Sequence, residues 1–276
     1  MHEIITTNGT EIRVQRRGDG PDVLLIAGLG DPLEAWQLQL DGLSDRYRLT
    51  AFDNRGVGLT PLPEGILSTP MMAEDAAAVL RALDVPAAHI MGFSGGASIA
   101  QELALAHPEL VRSLVLVGAF ARPDPYFEAM LAAWRSMVET APSERAMLES
   151  FYLWVYTPRA HADGTVDRFI EEALAFPHPQ STEAFLRQLD AFGDHDALDR
   201  LGRIAAPTLV LTGELDIAAP VRFGRAVAER IPGATLEVLA GEAHQPFQEV
   251  PDRFNARVDA FWQSVEARRP PILSRA

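Results

Sequence analysis

One stretch constrains this chain more than any other. Ala88-His89-Ile90-Met91 begins as a short apolar run and passes into the small residues Gly95 to Ala100 without a break. At the junction, Gly92-Phe93-Ser94-Gly95-Gly96 matches G-x-S-x-G. The pattern describes a strand that turns sharply into a helix with Ser94 at the apex. Such a turn crowds the backbone, and Gly92 and Gly96, lacking Cβ atoms, relieve the crowding. The Ser94 hydroxyl is then held out of the sheet at a helix N-terminus, where free N–H groups and the helix dipole favour developing negative charge. The bland alternative is a glycine-rich turn with a capping serine.

Other apolar runs fit around that turn. Ile12 to Arg16 alternates like a half-exposed strand. Val23-Leu24-Leu25-Ile26-Ala27, Leu49 to Phe52, Leu114 to Val117, Thr208 to Thr212 and Leu236 to Leu239 read as further strands. The continuously apolar ones suit strands covered on both faces. Helical patterns at Met72 to Leu83, Val221 to Arg230 and Pro251 to Val265 separate most of them. Strands alternating with helices predict an α/β fold with a mostly parallel sheet flanked by helices. The segment from Ala121 to Arg203 breaks the rhythm. It reads as four helices, Tyr126 to Glu139, Ser143 to Tyr156, Thr165 to Ala175 and Thr182 to Phe192, and holds about half of the chain's aromatics. We read it as an inserted helical cap, which divides the chain into core (1–120), cap (121–203) and core (204–276). Phe93, Trp134 and Trp154 are the aromatic candidates for a substrate pocket beneath it. The tail from Arg268 to Ala276 reads as a poorly ordered end.

Composition narrows the chemistry. The 276 residues carry a net charge of −14, which argues against a nucleic-acid partner. There are no cysteines, so disulfides, thiolate metal sites and a cysteine nucleophile are excluded. No metal or cofactor site is expected. Gly28-Leu29-Gly30 could open a dinucleotide fingerprint, but the third glycine would fall at Leu33. Met1 to Ile5 lacks the pattern of a signal peptide and no run is long enough for a membrane helix, so a cytoplasmic protein with no membrane partner is expected. Oligomeric state leaves no trace in the sequence.

A serine hydroxyl needs a base, usually a histidine oriented by a carboxylate. Of seven histidines, His244 has the best setting, in a loop just after the strand Leu236 to Leu239. His89 falls at the central strand, His107 at a helix end, and His161, His178 and His195 in the cap. Asp216 follows the strand Thr208 to Thr212, with Glu214 as its local rival. Loops at the carboxyl ends of strands are where open α/β sheets gather their sites. The oxyanion donors expected for acyl transfer are the N–H of Gly95 and an N–H from the loop after Ala27, at Leu29 or, failing that, Gly30.

With these residues in place the chain resembles the α/β-hydrolase superfamily over nearly its whole length. The order Ser94, Asp216, His244 is that of the superfamily, and Asp53-Asn54-Arg55-Gly56-Val57-Gly58 looks like its D-x-R-G-x-G segment. Where the family often has His-Gly, this chain has Ala27-Gly28. The resemblance implies an α/β-hydrolase fold with an inserted helical cap and is strongest to small capped serine esterases, enol-lactonases, C–C bond hydrolases and perhydrolases. The expected activity is hydrolysis of a small-to-medium ester or lactone bearing an apolar acyl or aryl group. C–C cleavage or perhydrolysis on the same triad, and a small-molecule receptor or signalling role, are the alternatives.

Overall fold

The computed structural model describes residues 2–268; residues 269–276, most of the tail read as poorly ordered, lie outside them. In chain order the elements are β1 (His2–Thr7), β2 (Thr10–Arg17), β3 (Asp22–Ile26), α1 (Gln37–Leu43), β4 (Arg48–Phe52), α2 (Thr69–Ala82), β5 (Ala88–Phe93), α3 (Gly95–Ala106) and β6 (Val111–Val117). Five helices follow: α4 (Pro125–Thr140), α5 (Glu144–Val155), α6 (Pro158–Ala162), α7 (Thr165–Leu174) and α8 (Thr182–Gly193). The chain closes with β7 (Thr208–Gly213), α9 (Val221–Arg230), β8 (Thr235–Leu239), α10 (Pro246–Glu249) and α11 (Pro251–Glu266). Local chemistry starts the inserted helices. The side chains of Asp124, Ser143, Thr157 and Ser181 accept the backbone N–H at the third residue of α4, α5, α6 and α8, which satisfies donors that a helix start leaves free.

The strands form one sheet of order β1-β2-β4-β3-β5-β6-β7-β8. β1 and β2 pair antiparallel at one edge, and every pairing from β4 to β8 is parallel. Alternate residues face opposite layers, as a strand requires. Leu24, Ile26, Ile90, Leu114, Leu116 and Val210 point to one core. Val23, Leu25, Met91, Val115 and Leu209 point to the other, against Trp36, Leu40, Phe254 and Trp262. Each such side chain contributes about 1.5–3 kcal/mol on burial.

The first core does not stop at the sheet. It runs on through Phe120 and Phe127 into Trp134, Val155, Ile170 and Phe192 of the inserted helices. The inserted helices lie between the adjacent strands β6 and β7 in chain order and share this core in packing.

Register brings distant residues to one edge. Ile26 pairs with Gly92, Phe93 with Val117, Val117 with Leu211, and Gly213 with Leu239. The loops leaving β3, β5, β6, β7 and β8 thus emerge side by side. The loop after β3 is pinned from beneath by the segment after β4. Asn54 donates from Nδ2 to the Ala27 carbonyl at 3.0 Å. The fully buried Asp53 accepts the N–H of Leu33 at 2.8 Å and of Leu59 at 3.1 Å, and pairs with Arg13 at 3.3 Å. Removing that carboxylate strands the two backbone donors and leaves Arg13 with Glu34 alone, so Asp53→Ala is expected to lower unfolding free energy by about 2–4 kcal/mol. Urea denaturation checks it; a loss below about 0.5 kcal/mol would show that the loop does not depend on this anchor.

Candidate active site

Ser94 sits between β5 and α3 with φ 53° and ψ −119°. A non-glycine residue there carries about 1–3 kcal/mol of strain, so neighbours must hold it. The Ser94 N–H donates to the Val117 carbonyl at 2.8 Å, and its own carbonyl accepts from Ala97 at 2.9 Å. Gly96 lets α3 press on the sheet. A Cβ there would lie 2.2 Å from the Ile26 carbonyl oxygen and 2.5 Å from that of Ala27.

His244 and Asp216 meet this serine. His244 Nε2 lies 3.0 Å from Ser94 Oγ, and Nδ1 lies 2.7 Å from Asp216 Oδ2. All but the serine are buried. With the Nδ1 proton directed to Asp216, Nε2 is free to accept the serine proton. Asp216 Oδ1 accepts the Ala219 N–H at 2.7 Å, which fixes the carboxylate. The rival Glu214 is turned away: its carboxylate accepts the N–H of Gly241 at 2.9 Å. The loop carrying His244 is held by an inserted helix, since the His244 N–H donates to the Val155 carbonyl of α5 at 3.1 Å.

Gly118 was not singled out from the sequence. It follows β6 with φ 56°, and a Cβ there would lie 2.7 Å from His244 Cε1 and 2.9 Å from Nδ1. Its bare backbone makes room for the imidazole. The available signal was a glycine directly after the apolar strand at Val117.

Among the oxyanion candidates, Gly30 is already committed. Its N–H donates to Gln188 Oε1 of α8 at 3.2 Å, and Gln188 Nε2 donates to the Arg55 carbonyl at 3.0 Å. The N–H groups of Leu29 and Gly95 have no acceptor among the described residues. Nothing in the sequence marks Gln188 for this task.

A cavity of about 480 Å³ opens beside this cluster. Its walls include Leu29 and Asp31 from the loop after β3, Gln245 next to His244, and Phe151, Tyr152 and Phe169 from the inserted helices. The three aromatics expected to line it do not. Phe93 packs its ring against those of His244 and Phe247, each at 4.8 Å. Trp134 packs on Phe151 at 4.8 Å and on Trp154 at 6.1 Å. Helical periodicity separates apolar from polar faces but does not say which apolar ring meets a void.

Similarity to known proteins agrees with the geometry. Residues 21–250 match the model of the alpha/beta hydrolase fold. The chain belongs to the α/β-hydrolase family. It is 32% identical over 249 residues to a protein of Azorhizobium caulinodans named carbamate hydrolase RutD, covering 90% of this chain and 94% of the relative. It is 34% identical over 259 residues to one of Mycobacterium tuberculosis named non-heme bromoperoxidase BpoC, covering 91% and 97%. The crystal structure of that bromoperoxidase superposes with a TM-score of 0.83 at 30% identity, covering 96% of this chain and 98% of the other. The enol-lactonase of Burkholderia xenovorans shares the fold, with a TM-score of 0.85 at 24% identity over 95% and 100% of the two chains. The family match and the relative named carbamate hydrolase support a hydrolase. Among the described residues no helix is long and apolar enough to cross a membrane.

Asp31 titrates abnormally in this setting. Burial pushes its carboxyl up to about 7, against the opposing pull of His244 and of the Gly28 N–H. An unfolded Asp releases its proton near pH 3.9. Between these values the folded chain holds a proton that the unfolded chain has lost, so this group makes stability fall as pH rises from about 4 to 7. Asp31→Asn does not titrate. Its Tm relative to the natural chain is expected to be higher at about pH 8 than at about pH 4.5, by roughly 3 °C or more. A difference that stays constant across that range, in thermal melts, would contradict the assignment.

Proposed function

We propose that this chain is a serine hydrolase that cleaves small-to-medium carboxylic esters or lactones through an acyl-enzyme. The observation that carries the reading is the continuous hydrogen-bonded line Ser94–His244–Asp216, at 3.0 Å and 2.7 Å. Ser94 Oγ attacks the substrate carbonyl carbon as His244 Nε2 takes its proton. The carbonyl oxygen becomes an oxyanion, received by the N–H groups of Leu29 and Gly95. The imidazolium then gives its proton to the departing alcohol, and the acyl group stays on Ser94. Water attacks that acyl carbon while His244 takes a proton from it, and the acid leaves as Ser94 regains its proton. Asp216 holds the ring orientation and accepts the Nδ1–H throughout.

The inserted helices act as a cap in this reading. They supply the far wall of the cavity and hold the loop of the base through Val155. The apolar rings on that wall favour an apolar acyl or aryl group. A carbamate carbonyl, the target in the name of one relative, offers the same kind of electrophile to the same serine.

The test is turnover of p-nitrophenyl esters of increasing acyl length. The natural chain is expected to hydrolyse short or medium members. Ser94→Ala is expected to lose about 10⁴-fold or more in kcat/KM, and Asp216→Asn about 10³- to 10⁴-fold. A Ser94→Ala protein that keeps full turnover sinks the proposal.

A further inference from the structure

One cavity residue has no part in that reaction. Asp31 follows directly on Gly28-Leu29-Gly30 and lines the cavity. Its carboxylate lies close to the proposed machinery. A Cβ on Gly28 would sit 3.0 Å from Asp31 Oδ2 and equally close to the Phe93 ring, which packs on His244. The carboxylate accepts the Gly28 N–H. Among the described residues no arginine pairs with it. The arginine that lines the cavity, Arg168, lies 4.0 Å from Glu172 of the same lining, and Arg13, outside it, pairs with the lining residue Glu34.

An ionised carboxylate here works against the proposed chemistry. It stands two residues from Leu29 and raises the energy of the oxyanion that Leu29 is to receive. It also repels any substrate that is itself a carboxylate. A substrate that carries its own positive charge eases both difficulties, because it adds a counter-charge to the one that His244 supplies. The surrounding wall suits such a group. Tyr152 and Tyr156 line the same cavity and lie within electrostatic reach of Asp31. Phe151, Phe169 and Phe185 line it as well. A carboxylate beside aromatic faces is the chemistry that holds alkylammonium groups.

We infer that Asp31 is a specificity residue that selects substrates bearing an alkylammonium group near the reacting carbonyl over their neutral isosteres and rejects carboxylates. The inference rests on the reading of Ser94 as the nucleophile of a hydrolase, and its test is arranged so that the two can fail separately.

The test compares kcat/KM for two isosteric pairs at about pH 8. Choline butyrate against 3,3-dimethylbutyl butyrate places the charge on the alcohol side. The p-nitrophenyl esters of 4-(trimethylammonio)butanoate and 5,5-dimethylhexanoate place it on the acyl side. In at least one pair the natural chain is expected to prefer the cation by about tenfold or more, chiefly through KM. In Asp31→Asn, which keeps the side chain's shape, that ratio is expected to fall to about one. A ratio near one for both pairs in the natural chain, or a preference that survives Asp31→Asn, overturns the inference. A second readout needs no turnover. Butyltrimethylammonium is expected to raise the Tm of Ser94→Ala protein, and hexanoate is not. In the Ser94→Ala, Asp31→Asn double variant the ammonium shift is expected to vanish. If no ester is hydrolysed but this Asp31-dependent shift appears, the hydrolase reading fails and the role of Asp31 stands. If esters are hydrolysed without any dependence on Asp31, the reverse holds.

Discussion

The site depends on one strained residue. Ser94 holds a backbone conformation that an ordinary side chain avoids, and only its surroundings keep it there. The Val117 carbonyl holds its N–H, and the close approach of Gly96 to β3 fixes the start of α3. Those contacts require a parallel sheet in which β3, β5 and β6 are neighbours in the right register. The same register brings out the loops of Gly118, Asp216 and His244 beside Ser94. The long-range order of the sheet is therefore what converts a local turn into a site.

Asp216 and His244 were legible in the sequence because each follows an apolar strand at a loop, and the sheet edge they imply is where they lie. Boundaries of the long helices were legible for a similar reason: capping side chains such as Ser143 and Ser181 precede apolar periodicity. Elements without such signals were missed. β1 is an exposed edge strand whose residues, His2 to Thr7, show no buried face. α1 and α6 are too short to display a period. The Gly30 N–H is taken up by Gln188, which lies 158 residues away, and no local pattern reports a contact of that range. The pocket walls were illegible for another reason. Phe151 and Trp134 look alike as apolar helical positions, yet one faces the cavity and the other fills the interior behind it.

Charge is distributed unevenly around the site. Deeply buried acids elsewhere are matched: Asp53 by Arg13 and backbone N–H groups, Asp75 by Arg55 at 2.5 Å. Among the described residues Asp31 has only a backbone donor and the histidine's influence. Such a group is costly to keep ionised where water is scarce, and it lines the cavity beside Leu29 and Gly30.

The bond from the His244 N–H to the Val155 carbonyl joins two regions that the chain order keeps apart. Helical insertions of this kind look exchangeable, since both ends leave adjacent strands. This one is not a free module. A segment transplanted from a relative to change the cavity would also have to present a main-chain acceptor where Val155 now stands, and an apolar surface matching the shared core beneath it. Without both, the graft would disturb the histidine while leaving Ser94, Asp216 and His244 in the sequence.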